Sequence, residues 1–274
     1  MKLKTLICVA LLSFTTGHTA IAADLDQFKG EKGELRISGG TAHIPVMKIA
    51  AKKIMRFNPD IHITIAGGGS GAGIKQVGEG LVDIGNSGRK AKEKEINAYG
   101  LSMYQWAIDG VAAVVNPNNT VKSLSSQQLK DIYSGKITSW NTLGGADRNI
   151  TLYTRDASSG TRSVFWKKAL NKGDIAQTAH FVSSNGAMKS AVANNPFAIG
   201  YVSVGFFDAS VAPITLDNVT PSLATVKSGE YKIARGLYSN TKGEAKGLSK
   251  TFIDYLLSPE GQRITAEKGF IPVN

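Results

Sequence analysis

Apolar residues in the first third of the chain follow strand and helix periodicities in turn. Ile61, Ile63 and Ile65 alternate with polar residues, as in a half-buried strand. Pro45 suits the first turn of a helix, and Asn58-Pro59 predicts where that helix ends. The predicted elements are a strand at 35–38, a helix at 45–57, a strand at 61–65, a glycine loop at 67–73, a helix at 74–81 and a strand at 82–85. This βαβαβ order predicts a parallel sheet with covering helices.

The rest of the chain continues the alternation of strands and helices. Residues 110–116 form a continuous apolar run, which is typical of a buried strand. Further strands are predicted at 150–154 and 199–204, and helices at 126–133, 164–169, 188–193, 250–257 and 259–268. The pattern as a whole predicts an α/β protein.

The first 22 residues contain the three parts of a secretory signal peptide in the expected order. Lys2 and Lys4 precede an apolar run at 6–14, and Ala20-Ile21-Ala22 provides a small-residue cleavage site. The run is shorter than the roughly 20 residues that a membrane-spanning helix needs. We therefore expect cleavage near Ala22 and export of the mature chain.

Composition indicates a globular protein with an anionic partner. Hydrophobic residues make up 42% of the chain and charged residues 19%, which excludes disorder of the whole chain. Lysine and arginine number 32 against 21 acidic residues, a formal charge of +11 that favours anions. The only cysteine, Cys8, lies in the leader, so the mature chain is expected to have no disulfide and no thiolate metal site.

Three loops rich in glycine and hydroxyl residues each follow a predicted strand and precede a predicted helix. They are residues 38–42, 67–73 and 155–161. In an α/β sheet such loops lie at the carboxyl ends of the strands, where helix N-termini expose unpaired N–H groups. Arg155 would add a two-pronged, permanently charged partner for a tetrahedral anion. The pattern predicts an anion cradle, although ordinary turns and helix caps would need the same residue types.

Known catalytic and nucleotide motifs do not fit the chain. The glycine loop has P-loop spacing between Gly68 and Gly73, but Gln76 stands where the motif has a hydroxyl residue. Ala72 breaks the G-x-S-x-G elbow of serine hydrolases. The histidines at 18, 43, 62 and 180 lack metal-ligand spacing. We therefore predict no catalytic residues, no metal and no cofactor, while a serine hydrolase with a distant histidine stays open.

Six segments of the chain resemble the phosphate-binding proteins of periplasmic phosphate ABC transporters. The resemblance covers nearly all of the mature chain and is most specific in the glycine-serine loop followed by IKQ and in the R-x-x-x-S-G-T loop. The segments are SGGTAHIP (38–45), GGGSGAGIKQV (67–77), SGKITSWNTLGG (134–145), TRDASSGTRSVF (154–165), SNGAMKSAVANNPFAIGYVSVG (184–205) and LSPEGQRITAEKGFIPV (257–273).

The resemblance implies a type II periplasmic-binding-protein fold of two α/β lobes. Two strands, at 110–116 and 233–239, would cross between the lobes. Lobe 1 would comprise 23–112 and 236–274, and lobe 2 would comprise 113–235. Inorganic phosphate would bind in the cleft of a monomer and pass to the membrane permease subunits of an ABC transporter, with no role for nucleic acid.

The resemblance also implies the phosphate ligands. Lobe 1 would contribute Thr41, the Ala42 N–H and Ser70, and lobe 2 would contribute Arg155, Ser159, the Gly160 N–H and Thr161.

One departure from the family pattern concerns the carboxylate that accepts the proton of bound phosphate. Many members have it in a G-x-S-D stretch, whereas this chain has Gly88 at that position, followed by Arg89. An ionised carboxylate pairs with a protonated oxygen and repels sulfate. We expect Asp109 to replace it, unless Asp109 is only a turn residue before Gly110. Ser87 and Arg89 would be additional ligands, or Arg89 would orient Asp109.

Three alternatives stay open at this point. The ligand could be sulfate, molybdate or tungstate, which depends on whether a carboxylate faces it. A secreted hydrolase of phosphate esters would need a nucleophile with a base or a metal set, and neither is found in the sequence. A surface protein for nucleic acid or lipopolysaccharide would need clustered lysines, whereas the lysines of this chain are dispersed.

Overall fold

The computed structural model describes residues 24–274, so the predicted leader lies outside the described residues. Within that range the strands are β1 (Gly33–Gly39), β2 (Ile61–Gly68), β3 (Ile84–Ser87), β4 (Leu101–Val115), β5 (Ser123–Leu124), β6 (Thr151–Arg155), β7 (His180–Val182), β8 (Ala198–Ser203), β9 (Ala212–Pro213), β10 (Thr215–Leu216), β11 (Ala234–Lys242) and β12 (Ile271–Pro272). The α-helices are α1 (Ile44–Phe57), α2 (Gly69–Gly78), α3 (Glu93–Tyr99), α4 (Ser126–Tyr133), α5 (Gly160–Lys168), α6 (Asn185–Ala193), α7 (Leu223–Ser228), α8 (Gly247–Leu257) and α9 (Pro259–Glu267).

The first part of the chain forms the predicted βαβαβ unit. Strand β1 pairs in parallel with β2 on one side and with β3 on the other. The predicted glycine loop at 67–73 is wrong, because β2 continues to Gly68 and α2 begins at Gly69 with no loop between them. The backbone changes direction there through φ values of +120° at Gly68 and +88° at Gly69. Only glycine adopts such values readily, so the residues that make the turn resemble a flexible loop in sequence.

Two long antiparallel strands join the two halves of one mixed sheet. Strand β4 pairs with β11 along residues 101–110 and with β8 along residues 111–115. Its partner β11 continues the sheet to β3, which gives the order β2-β1-β3-β11-β4-β8-β6-β7. The predicted strand at 110–116 covers only the apolar end of β4, since polar residues interrupt its first half.

The hydrophobic core consists of two main clusters, one toward each end of these strands. The first cluster includes Ile37, Trp106 and Leu237, and the second includes Val111 and Ile233. Along β4, the buried residues therefore switch from the first cluster to the second between residues 107 and 111. At β11 they switch from the second cluster to the first between residues 233 and 237. We propose the lobe boundaries near 112 and 235 from this change, as the resemblance implies.

The C-terminal helices pack on the first cluster. Ser258 caps α9 by accepting a hydrogen bond from the Gly261 N–H, and Pro259 occupies the first turn. Lys53 of α1 lies 2.6 Å from the buried Glu260 carboxylate of α9. No helix in residues 24–274 combines the length and apolar character needed to cross a membrane.

Candidate functional site

A small cavity lies where the N-termini of α1, α2 and α5 converge between the two clusters. Its empty space, part of which is open to solvent, is about 180 Å³. Three helix N-termini aimed at one point expose N–H donors and partial positive charge. The cavity therefore suits a small anion.

Seven of the eight predicted phosphate ligands line this cavity. They are Thr41, Ala42 and Ser70 from the first half of the chain, and Arg155, Ser159, Gly160 and Thr161 from the second. The eighth, Asp109, is not in the lining, and neither are Ser87 and Arg89. The remaining lining residues are Gly40, His43, Gly69, Gly88 and Arg235.

Arg155 places a buried guanidinium in the cavity, and no carboxylate within residues 24–274 forms an ion pair with it. Only 1% of the residue is exposed, and its Nη2 donates to the Ser183 carbonyl oxygen at 2.9 Å. Its Nε and Nη1 have no hydrogen-bond partner among the described residues. Burial lowers the pKa of Arg155 from its usual value, but arginine remains protonated in proteins. An anion in the cavity would satisfy both free N–H groups and the charge.

The four hydroxyl groups of the cavity are held as hydrogen-bond donors. The Ser70 oxygen accepts from the Gly88 N–H at 2.9 Å, and the Ser159 oxygen accepts from the Arg162 N–H at 3.1 Å. The Thr41 and Thr161 oxygens each accept two hydrogen bonds from nitrogen donors. Because these partners can only donate, each hydroxyl proton is left free to point elsewhere. The cavity therefore offers donors to an oxyanion.

Asp109 does not face the cavity, in contrast to its predicted role. It is fully buried, and its Oδ2 accepts from the Arg235 Nε at 2.9 Å and lies 2.7 Å from Nη2. Its Oδ1 accepts from the Ser203 hydroxyl at 2.7 Å. Burial raises the pKa of Asp109, and the Arg235 charge opposes that rise. The group that reaches the cavity from this pair is the Arg235 guanidinium, which Asp109 holds in place.

Arg89 does not orient Asp109 either. Its Nη1 and Nη2 each donate to the Glu95 carboxylate at 2.8 Å, and the Arg89 guanidinium lowers the pKa of Glu95. Glu95 also accepts from the Lys92 N–H at the start of α3, so this local partner holds Arg89 outside the cavity. Ser87 uses its hydroxyl internally, donating to the Arg89 carbonyl and accepting from Asn240.

Gly88 and Arg235 explain the departure from the G-x-S-D pattern together. A Cβ at position 88 would lie 2.7 Å from the Arg235 Nη1, so any larger side chain would displace the guanidinium. Arg235 also donates to Thr161 at 3.0 Å. Sequence reasoning missed Arg235, although a charged residue inside a predicted crossing strand is a signal that could have found it.

His43 is the other titratable residue of the lining that the sequence did not predict. Burial and the nearby Arg235 charge lower its pKa to about 3. Its Nδ1 lies 3.0 Å from the Gly40 carbonyl oxygen, and its ring packs edge-on against Trp106. A neutral ring held in this way stabilises the loop before α1.

Replacing Asp109 by asparagine is expected to leave Arg235 as an unpaired buried charge. The free energy of unfolding of the ligand-free protein should fall by about 3–5 kcal/mol. Denaturation in urea measures this loss, with Ser203→Ala as the matched control because it removes only one hydrogen bond to the carboxylate, worth about 1.5–3 kcal/mol. A loss for Asp109→Asn no larger than that of the control would contradict the assigned ion pair.

The two halves of the molecule meet across the mouth of the cavity. The Ser158 hydroxyl donates to the Gly68 carbonyl oxygen at 3.0 Å, and the Gly71 N–H donates to the Ser158 carbonyl oxygen at 2.9 Å. Position 160 is equally tight, since a Cβ there would lie 2.0 Å from the Ser70 hydroxyl oxygen. The cavity is therefore enclosed by groups from both lobes.

Comparison with known proteins agrees with this architecture. The model of the PBP superfamily domain matches residues 24–260. The phosphate-binding protein PstS of Bacillus subtilis is 46% identical, over 90% of this chain and 84% of the relative. A putative phosphate ABC transporter substrate-binding protein from Clostridium perfringens, solved with bound phosphate, is 38% identical with a TM-score of 0.83, over 88% of this chain and 100% of the other. An ABC-type phosphate transport receptor from Vibrio cholerae is 34% identical with a TM-score of 0.70, over 86% and 99% of the two chains. The chain therefore belongs to the phosphate-binding proteins of phosphate ABC transporters, within the PBP superfamily.

Proposed function

We propose that the protein binds inorganic phosphate in the cavity between its lobes and delivers it to an ABC-type membrane permease. The observation that carries this proposal is the buried Arg155 guanidinium, whose Nε and Nη1 are unpartnered among the described residues. Four hydroxyl donors and three helix N-termini surround the same space. The Bacillus subtilis relative is a phosphate-binding protein, and the Clostridium perfringens relative was solved with bound phosphate, which supports phosphate as the anion.

A non-catalytic role fits the chemistry of the lining. A phosphate-ester hydrolase would need a base beside a nucleophile. His43 is a poor base because burial and the nearby Arg235 charge lower its pKa to about 3. The hydroxyl oxygens already accept hydrogen bonds from nitrogen donors, so they are arranged for binding and not for attack.

The predicted leader and the family together support a periplasmic location. Export with cleavage near Ala22 would release a monomer that reaches the permease subunits from outside the membrane. The excess of positive charge is spread along the chain, so no nucleic-acid partner is proposed. It would raise the local concentration of anions modestly, and more so at low salt.

A second candidate ligand is another oxyanion, such as sulfate, molybdate or tungstate. No aspartate or glutamate is found among the cavity-lining residues of the described chain, since Asp109 is behind Arg235. A protonated phosphate oxygen needs an acceptor, whereas sulfate needs only donors. This observation favours some binding of sulfate by the same cavity.

Thermal unfolding with separate anions tests the proposed function. Phosphate at about 100 times its Kd should stabilise the ligand-free protein by roughly 2.7 kcal/mol and raise Tm by about 5–10 °C. We expect the phosphate shift to exceed those of sulfate and molybdate. A larger shift with sulfate or molybdate would mean that this anion, and not phosphate, is the ligand of the cavity. No shift with any of the three would contradict the anion cavity and favour a surface-interaction protein.

A further inference from the structure

A buried asparagine lies directly behind the cavity but outside its lining. Asn185 is the first residue of α6 and is fully buried. Its side-chain nitrogen donates to the Thr41 oxygen at 3.1 Å and lies 3.4 Å from the Thr161 oxygen. Thr41 lies in the first lobe and Thr161 in the second, so one amide group reaches hydroxyls from both lobes.

The orientation of this amide is fixed by the backbone. The Asn185 Oδ1 accepts from the Ser203 N–H at 3.1 Å, and a backbone N–H can only donate. The opposite side of the amide, which faces the two threonines, is therefore the NH₂ group. An NH₂ group can only donate, so both hydroxyl oxygens must accept from it.

Each of the two threonine hydroxyl oxygens also accepts a hydrogen bond from a second nitrogen donor. Thr41 also accepts from the Asn185 backbone N–H at 3.2 Å, and Thr161 also accepts from the Arg235 Nη1 at 3.0 Å. Each threonine oxygen then has both lone pairs occupied. Its own proton is the only hydrogen-bonding capacity left for a ligand in the cavity.

Asn185 is also part of a closed ring of buried hydrogen bonds. The ring continues from Ser203 to Asp109, from Asp109 to Arg235, and from Arg235 through Thr161 back to Asn185. Each member is at most 8% exposed. The side chain of Asn185 thus links the threonine donors to the ion pair that holds Arg235.

We propose that Asn185 is a positioning residue for the anion, which it affects through the threonine hydroxyls without touching the ligand. This inference rests on the proposed function, because it assumes that an oxyanion fills the cavity. Asn185 forces the protons of Thr41 and Thr161 into the cavity. Thr161 lies in the same lobe as Asn185, whereas Thr41 lies in the other, so the Thr41 proton is oriented in this way only when the two lobes are together. Asn185 therefore couples lobe closure to the presentation of the Thr41 donor.

The test is calorimetric titration of phosphate into Asn185→Asp and Asn185→Ala at pH 8 and pH 5. The aspartate variant should bind phosphate at least about 100-fold more weakly than the wild type at pH 8. Its carboxylate accepts the two hydroxyl protons, turns them away from the cavity and adds a negative charge. Burial raises the pKa of such a carboxyl, so at pH 5 it becomes increasingly protonated and can donate again. The deficit relative to the wild type should therefore shrink about tenfold or more between pH 8 and pH 5.

The alanine variant separates positioning from charge. It removes the side-chain donor but keeps the backbone N–H bond to Thr41, so we expect about a tenfold loss of affinity that does not depend on pH. The matched control is Asn116→Ala. Asn116 is also buried, and its amide donates to the Val192 and Ala193 carbonyl oxygens at the other end of α6. The Asn116→Ala substitution should lower Tm while leaving phosphate affinity within about twofold of the wild type.

The outcomes distinguish this inference from the proposed function. If the wild type does not bind phosphate, the proposed function fails. If the wild type binds and both Asn185 variants match it, or if Asn116→Ala loses as much affinity as Asn185→Ala, the positioning role is overturned. Should the aspartate variant fail to fold, the alanine variant and its control still decide the question.

Discussion

Replacing Arg155 by methionine is expected to lower phosphate affinity by roughly 100- to 10,000-fold. The methionine fills similar space but removes the charge and the two unpartnered N–H groups. Hydrogen bonds to charged groups contribute about 1.5–3 kcal/mol each, and 1.4 kcal/mol corresponds to a tenfold change in Kd. Titration calorimetry of the ligand-free protein with phosphate measures the loss directly.

Two further variants define what the arginine contributes. Arg155→Lys keeps the charge but loses the forked donor geometry, so we expect an intermediate loss of about 10–100-fold. Arg89→Met is the matched control, because this guanidinium is held by Glu95 outside the cavity. Equal losses for Arg89→Met and Arg155→Met would mean that net charge alone, and not the cavity, attracts phosphate.

Replacing Gly160 by alanine is expected to lower phosphate affinity by at least about 100-fold without unfolding the protein. A Cβ at this position would lie 2.0 Å from the Ser70 Oγ and 3.0 Å from the Ser70 Cβ, which belong to the opposite lobe. The added methyl group acts as a wedge and prevents the lobes from closing on the ion. Alanine is a better helix former than glycine, so the first turn of α5 itself should not be destabilised.

The matched control for this wedge is Gly186→Ala. Gly186 lies in the first turn of α6, and the nearest atom to its added Cβ is the Ser184 Oγ at an ordinary 3.7 Å. Phosphate affinity should stay within about threefold of the wild type in this variant. Small-angle X-ray scattering on both variants with saturating phosphate should find only Gly160→Ala in an open form. A closed, tightly binding Gly160→Ala protein would contradict the assigned contact between the lobes.

Most of the site could be predicted because its residues carry local signals. Thr41, Ser70 and Thr161 each lie close to the end of a strand and at the start of a helix. The parallel strands β1 and β2 bring Thr41 and Ser70 to one edge of the first half of the sheet, so a topological rule is enough to place those two together. Strand β6, before Thr161, runs antiparallel to β1 in the second half of the sheet, so its loop reaches the cavity from the other side. The glycines around Ser70 mark the same place, even though the predicted loop proved to be a direct turn from β2 into α2.

The charged residues behind the cavity could not be assigned in the same way. Asp109 and Arg235 are 126 positions apart and meet only because β4 and β11 pair. The sequence placed Asp109 near the cleft but could not show that a second arginine stands between it and the ligand. Arg89 was the nearer candidate in sequence, yet Glu95, three residues after the cap of α3, is a local partner that satisfies it.

Asn185 shows a third limit of sequence reasoning. Its position at the start of α6 is typical of an ordinary helix N-terminus, where asparagine is common for reasons of capping alone. Its contacts with Thr41, Thr161 and Ser203 come from three other elements of the fold. No local pattern reports such a convergence, so only the structure identifies the residue.

The most direct test of the central claim is a crystal structure of the protein with phosphate. The account predicts one phosphate ion in the cavity, with its oxygens about 2.7–2.9 Å from the Arg155 Nε and Nη1. The hydroxyls of Ser70 and Thr161 should donate to the same ion, while Asp109 stays bonded to Arg235 and Ser203. Phosphate bound elsewhere, or an Asp109 carboxylate turned onto the ion in place of Arg235, would contradict the account.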